Sequence, residues 1–132
     1  MGAGVGLLSL VACRYKPSSV TSTDGNAIVL DILEKNLNDY NINNIPARVA
    51  HLEWGSENAR RFACNPSFGY PRCDLHQMIE SYPDGMSKDC ADCGFNCLLI
   101  ADCTYSVESA ALLMETVDVL LSRNGVCLLT HR

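Results

Sequence analysis

The chain has 132 residues, 48% of them apolar and 19% charged, which is enough to bury one core and too few for two ordinary domains. A formal charge of −5 leaves no basic stripe for a polyanion, so nucleic acid and anionic membrane surfaces are disfavoured as partners. No apolar run reaches the ~18 residues that a bilayer span needs.

Residues 7 to 15 read as a helix carrying Leu7, Leu8, Leu10 and Val11, stopped by Pro17. Val20 to Thr23 reads as a short strand ending at Asp24. From Asn26 to about Asn38, Val29, Leu33 and Leu37 recur at four-residue steps beside Leu30, one helical stripe with Asn26 as N-cap. Arg48 to Trp54 alternates as a strand does. Between Ser56 and Asp89 the pattern dissolves into Pro, Gly, Ser and Cys, a long irregular insertion with one helical turn or two around Asp74 to Tyr82.

Asn96 to Ala101 is a continuous apolar run of the kind buried on both faces of a parallel sheet. Residues 108 to 122 are the clearest helix, with Ala110, Leu113, Met114, Val117, Leu120 and Leu121 on one stripe and Gly125 closing it. Val126 to Thr130 is a final strand. The alternation makes an α/β domain, and right-handed crossovers make its sheet parallel.

Eight cysteines invite a disulfide framework. Cys97, Cys103 and Cys127 lie in or beside apolar strand-like runs and Cys13 on the first helix, so these four read as packing residues. Cys64, Cys73, Cys90 and Cys93 fall in or at the edge of the irregular segment. Cys90 and Cys93 have the two-residue gap of a zinc pair, whereas the Cys64 to Cys73 gap is too wide for a second one, and no metal is expected. Residues 2 to 12 are apolar or small and end at Leu10-Val11-Ala12-Cys13, which has the character of a secretory cleavage site. No Lys or Arg precedes that stretch, and its glycines suit a leader helix poorly. Gly6 also breaks the myristoylation pattern.

The most informative feature is Gly2-Ala3-Gly4-Val5-Gly6 followed, after a helix, by Thr23-Asp24-Gly25-Asn26. Alternating glycines let a backbone turn and approach a ligand, and an acid at the end of the next strand suits both hydroxyls of a ribose. A dinucleotide fingerprint needs a glycine where Leu7 stands, so the spacing points to an S-adenosylmethionine site instead. A glycine turn of this kind should follow a central strand, for which Met1 leaves no room. The expected result is two half-sheets, at 20 to 23 and at 96 to 101, with a hole between them. The sequence therefore reads as a fragment, incomplete at both ends.

With Leu52-Glu53-Trp54-Gly55 and Ile100-Ala101-Asp102-Cys103-Thr104-Tyr105 added, the chain resembles the seven-strand lysine methyltransferases, also called methyltransferase family 16. The resemblance runs from Gly2 to Arg132, thins through 56 to 89, and is most specific at Asp102 to Tyr105, which looks like the group's Asp-x-x-Tyr signature. Within the group, Thr23 to Asn26 and Ala101 to Cys103 look most like the calmodulin-lysine N-methyltransferases, where Phe often stands in place of Tyr105. The resemblance implies a Rossmann-like, three-layer αβα fold of the class I S-adenosylmethionine-dependent type, lacking its first strand and its C-terminal strands. It also implies a cytoplasmic or nuclear enzyme that methylates a lysine on a protein such as calmodulin. Gly2, Gly4 and Gly6 would wrap the methionine part of the cofactor and Asp24 would take the ribose hydroxyls, with Gly25 and Asn26 beside it also counted among the cofactor-binding residues. Trp54 would lie against the adenine and Ala101 beside the sulfonium, while Asp102 and Tyr105 would be catalytic.

The bland readings are a helix-capping Asp24, a core Trp54, an Asp102 that caps the following helix, and a Tyr105 at the core edge. His51 reads as a solvent-facing strand residue and His76 as a loop residue, with no hydrolase signature around either. Two other functional classes remain open: a non-catalytic remnant of the fold acting as a binding module, and a secreted, disulfide-rich protein.

Overall fold

The computed structural model describes residues 1–41, 43–68, 93–103 and 105–130. It is an α/β structure with the order α1 (Leu7–Arg14), β1 (Val20–Asp24), α2 (Ala27–Tyr40), β2 (Ala47–His51), α3 (Ser56–Cys64), a 3-10 turn at Pro66–Phe68, β3 (Phe95–Ala101), α4 (Val107–Leu120) and β4 (Leu121–Thr130). The strands form two parallel pairs, β1 with β2 and β3 with β4. No described strand lies between β1 and β3, and a cavity of about 570 Å³ opens there. The two half-sheets expected at 20 to 23 and at 96 to 101, with a gap between them, are thus present.

α2 forms where the four-residue apolar steps place it. Leu33 and Leu37 are buried, and the Asn26 side chain accepts from the Ile28 amide at 3.0 Å, as an N-cap does. α4 buries Leu113, Thr116, Val117 and Leu120. Ser106 caps it with a reciprocal bond to Ser109, so Asp102 is not its cap. Met114, placed on the inner stripe by the sequence, is instead 55% exposed.

The helix also ends earlier than its apolar run. Leu121 turns to φ −78°, ψ 131° and opens β4, and Gly125 sits inside that strand rather than closing the helix. Phe95 pairs with Leu121 but Cys97 with Val126, so β4 spends its extra residues in an irregularity that serves as the helix-to-strand turn.

Three further expectations are corrected. α3 occupies residues assigned to the irregular segment, because Ala59, Phe62 and Ala63 recur at helical spacing and are all buried, although two are too small to signal a stripe. β2 stops at His51; Leu52 is buried just beyond it, its amide still donating to the Asp24 carbonyl at 3.0 Å, and the alternation does not continue as strand to Trp54. β3 is not buried on both faces, since Leu98 and Ile100 are buried while Cys97 is exposed toward the cavity. The helical turn placed around 74–82 lies outside the described residues.

One continuous core joins Ala50 and Leu52 to Ala59, Phe62 and Ala63 of α3, to Leu98 and Ile100 of β3, and to Leu113, Val117 and Leu120 of α4. Phe62 stacks on Phe68 at 4.9 Å, anchoring the 3-10 turn to α3. α1 and α2 pack on each other and on β1. There the contact between α1 and β1 is polar, with Ser22 Oγ donating to Ser9 Oγ at 2.8 Å, both buried. No described helix is long and apolar enough to cross a membrane.

Candidate functional site

Because the strands of each pair are parallel, their carboxyl ends deliver Asp24 from β1, the Leu52 to Trp54 segment from β2 and Ala101 to Cys103 from β3. The glycine segment reaches all three. Gly2, Gly4 and Gly6 have φ of 60°, 52° and 98°, the left-handed region in which a side chain is strained. At Gly2 a Cβ would also come within 2.5 Å of Cys103 Sγ and 3.4 Å of the Trp54 ring. At Gly4 it would meet nothing within 4 Å, so the loop crest faces open space.

Asp24 ties the loop to β1. One carboxylate oxygen accepts from the Gly4 amide at 2.9 Å and the other from the Asn26 amide at 3.0 Å. The Ala3 amide donates to the Thr23 carbonyl just beneath, also at 2.9 Å. Each carboxylate oxygen retains a second lone pair, so Asp24 can accept two further donors while it holds the loop. Asp24 bridges a loop rather than capping α2, which Asn26 does. Gly25 accepts from His51 Nε2 at 2.9 Å, which fixes the tautomer with the proton on that nitrogen and gives this exposed ring a role that the sequence reading left out.

Trp54 is half-buried, with its ring edge beside Gly2 and its other contacts on the margin of the core. Asp102 is exposed, at φ 54°, and its amide donates to the Thr130 carbonyl. That left-handed residue turns the chain sharply out of β3, a conformation Asp tolerates better than most side chains. Tyr105 is 82% exposed and so is not a core-edge residue. The structure therefore brings together Gly2, Gly4, Asp24, Trp54 and the Ala101–Cys103 segment, and leaves Tyr105 outside that contact network.

Two groups at the site carried no sequence signal for it. The Cys103 thiol donates to the Ala101 carbonyl at 3.1 Å and lies 3.7 Å from the carbonyl oxygens of Met1 and Gly2. Burial pushes its pKa up, opposed by the nearby chain amino group and by the Ala101 contact, so at neutral pH it is a thiol and not a nucleophilic thiolate. The Met1 amino group donates to the Leu99 carbonyl at 2.8 Å, and burial pulls its pKa below the ordinary value.

Of the cysteines read as packing residues, Cys13 and Cys103 are buried, Cys127 is half-buried and Cys97 is exposed. Cys13, Cys64, Cys97, Cys103 and Cys127 stand as free thiols. Cys73 and Cys90, half of the weighed zinc set, lie outside the described residues, as does His76. Among the described residues no three His, Cys, Asp or Glu side chains converge to hold a metal.

No protein-family model matches the chain. No curated protein matches it either.

Proposed function

We propose that the chain binds S-adenosylmethionine at the carboxyl ends of its strands, within a Rossmann-like domain of the class I methyltransferase type, and that the domain serves methyl transfer to a protein lysine. The observation that carries this reading is the Asp24 carboxylate, held by Gly4 of a left-handed glycine loop and still open to two donors. The residues fit the cofactor in chemical kind. The open crest at Gly4 leaves room for a ligand against backbone amides, and the spare lone pairs of Asp24 suit a ribose diol. Trp54 offers a flat apolar face for a purine.

When bound, the cofactor supplies an electrophilic methyl group on a sulfonium. The protein has to present a lysine nitrogen, whose free pKa is about 10.4, as a neutral amine aligned with that methyl group. Asp102 projects at the rim, where a carboxylate attracts and orients an incoming ammonium. Tyr105, exposed three residues further along the chain, is proposed as a second group for the incoming lysine. The acidic chain gives no electrostatic steering to an acidic substrate such as calmodulin, so the lysine-bearing partner is proposed by class only.

Calorimetric titration of S-adenosylmethionine into the full chain tests the cofactor assignment. Asp24→Ala should weaken binding by about 1.5–3 kcal/mol, the worth of a charged hydrogen-bonding group. Asp24→Asn, which keeps an acceptor for the loop, should fall between the two. Saturable binding that both variants leave unchanged would sink this site.

A second reading, a binding module without turnover, draws on the exposure of both Asp102 and Tyr105. Transfer of labelled methyl groups to lysine-bearing proteins separates the two. Turnover that Tyr105→Phe reduces without changing cofactor affinity supports the enzyme, and binding without transfer supports the module.

A further inference from the structure

The turn that carries Asp24 is fastened to the end of β2. β1 and β2 run parallel with Asp24 in register with His51, so the two strands leave their ladder side by side. The Leu52 amide donates to the Asp24 carbonyl at 3.0 Å, which extends the pairing one residue past β2. A Cβ on Gly25 would lie 3.7 Å from both the Leu52 carbonyl oxygen and Glu53 Cγ, so the turn rests against that segment in ordinary van der Waals contact. His51 Nε2 then reaches across and donates to the Gly25 carbonyl at 2.9 Å.

That carbonyl and the Asn26 amide are the two ends of one peptide group. The group is planar and trans, so its C=O and N–H point in opposite directions and turning one turns the other. At one end the imidazole holds the carbonyl; at the other the Asn26 amide donates to Asp24 Oδ1 at 3.0 Å. Glycine before this peptide and asparagine after it are the residue types that best tolerate the dihedral angles on both sides of a peptide flip. A flip would withdraw the amide from the carboxylate and turn the carbonyl oxygen toward it. Asp24 Oδ2 would keep its bond to the Gly4 amide, but one bond leaves the carboxylate plane free to rotate, whereas two fix it.

We propose that His51 is a positioning residue of the cofactor site: by holding the Gly25–Asn26 peptide it sets the Asp24 carboxylate in the orientation that presents its spare lone pairs to a ribose diol. The proposal rests on the reading of Asp24 as the ribose-binding group, and extends it to a side chain that acts through the peptide rather than on the ligand. His51 is exposed, so removing its ring opens no hole in the core, and its effect on the site is separable from stability.

The test uses the full isotope-labelled chain, first without ligand. The Asn26 amide proton, drawn downfield by its carboxylate bond, should move upfield in His51→Ala, while the amides of α4 stay in place. His51→Gln, which keeps a side-chain N–H at about the same reach, should leave the Asn26 signal where it is. Calorimetric titration should then show S-adenosylmethionine bound about three- to tenfold more weakly by His51→Ala, the worth of one hydrogen bond, and restored in His51→Gln. In an Asp24→Ala background, His51→Ala should change the affinity little, because its effect runs through the carboxylate. An Asn26 signal or an affinity unmoved by His51→Ala overturns the proposal. So does a loss of affinity that His51→Gln fails to restore, or one equally large without the Asp24 carboxylate. Failure of the unsubstituted chain to bind S-adenosylmethionine overturns the cofactor reading and this proposal with it, whatever the Asn26 signal does.

Discussion

The α3–α4 region and the α1–α2 region bury residues of different character. Around α3 and α4 a single apolar cluster runs from Ala50 through Phe62 and Ile100 to Leu120. Around α1 and α2 the buried groups are Cys13, Leu33 and Leu37, together with Ser9, Ser22 and Thr23. Apolar burial contributes roughly 25 cal/mol per Å², while a buried hydroxyl pair gains little net stability once its desolvation is counted. The first region therefore carries the stability, and the second contributes the glycine loop and Asp24 to the candidate site.

The largest effect expected from this contrast is Leu113→Ala. Leu113 is fully buried at the centre of the apolar cluster, and removing its side chain should cost about 2–5 kcal/mol in chemical denaturation. Asp24→Ala, in the other region, should cost far less stability than this while weakening the proposed binding of S-adenosylmethionine; a comparable loss of stability in both variants would erase the distinction. Ser106→Ala should cost about 1 kcal/mol by removing the cap of α4, again measured by denaturation.

A smaller effect should appear in the pH dependence of stability. Burial lowers the Met1 amine from its ordinary 8.0, so between its folded value and 8.0 the unfolded chain binds more protons and stability rises with pH. Burial raises the Cys13, Cys103 and Cys127 thiols above their ordinary 9.0, so above 9.0 the unfolded chain loses protons first and stability falls. From these groups the melting temperature should peak between about pH 8 and 9. Acetylating the amino terminus should remove the rising limb and leave the falling one.

The element order was readable because most segments announce themselves through apolar period. β1, α2, β3 and α4 all lie where Val20, Leu33, Leu98 and Leu113 place them. α3 was not readable, since Ala59 and Ala63 fill a helix interface through small size rather than hydrophobic bulk. The end of α4 was missed because Leu121 continues the apolar run while its backbone switches to a strand. At the site, the convergence of the glycines with Asp24 and Trp54 follows from parallel topology, and so could be read from the sequence. The Cys103 thiol and the Met1 amine could not be, because their properties come from burial, which one-dimensional spacing does not encode. Tyr105 shows the converse: a motif supplies the residue type but no packing to fix its direction.

β4 has one further consequence, for solubility. Among the described residues it pairs only with β3, and it is ten residues long and presents Val126, Leu128 and Leu129 to solvent. Arg123 is its one charged side chain. A long, apolar, weakly charged edge templates pairing between molecules, whereas the facing edges of β1 and β3 are shielded inside the cavity. Aggregation of this protein should therefore start at β4. Leu128→Lys, on an already exposed position, should raise the concentration at which light scattering appears while leaving the fold intact.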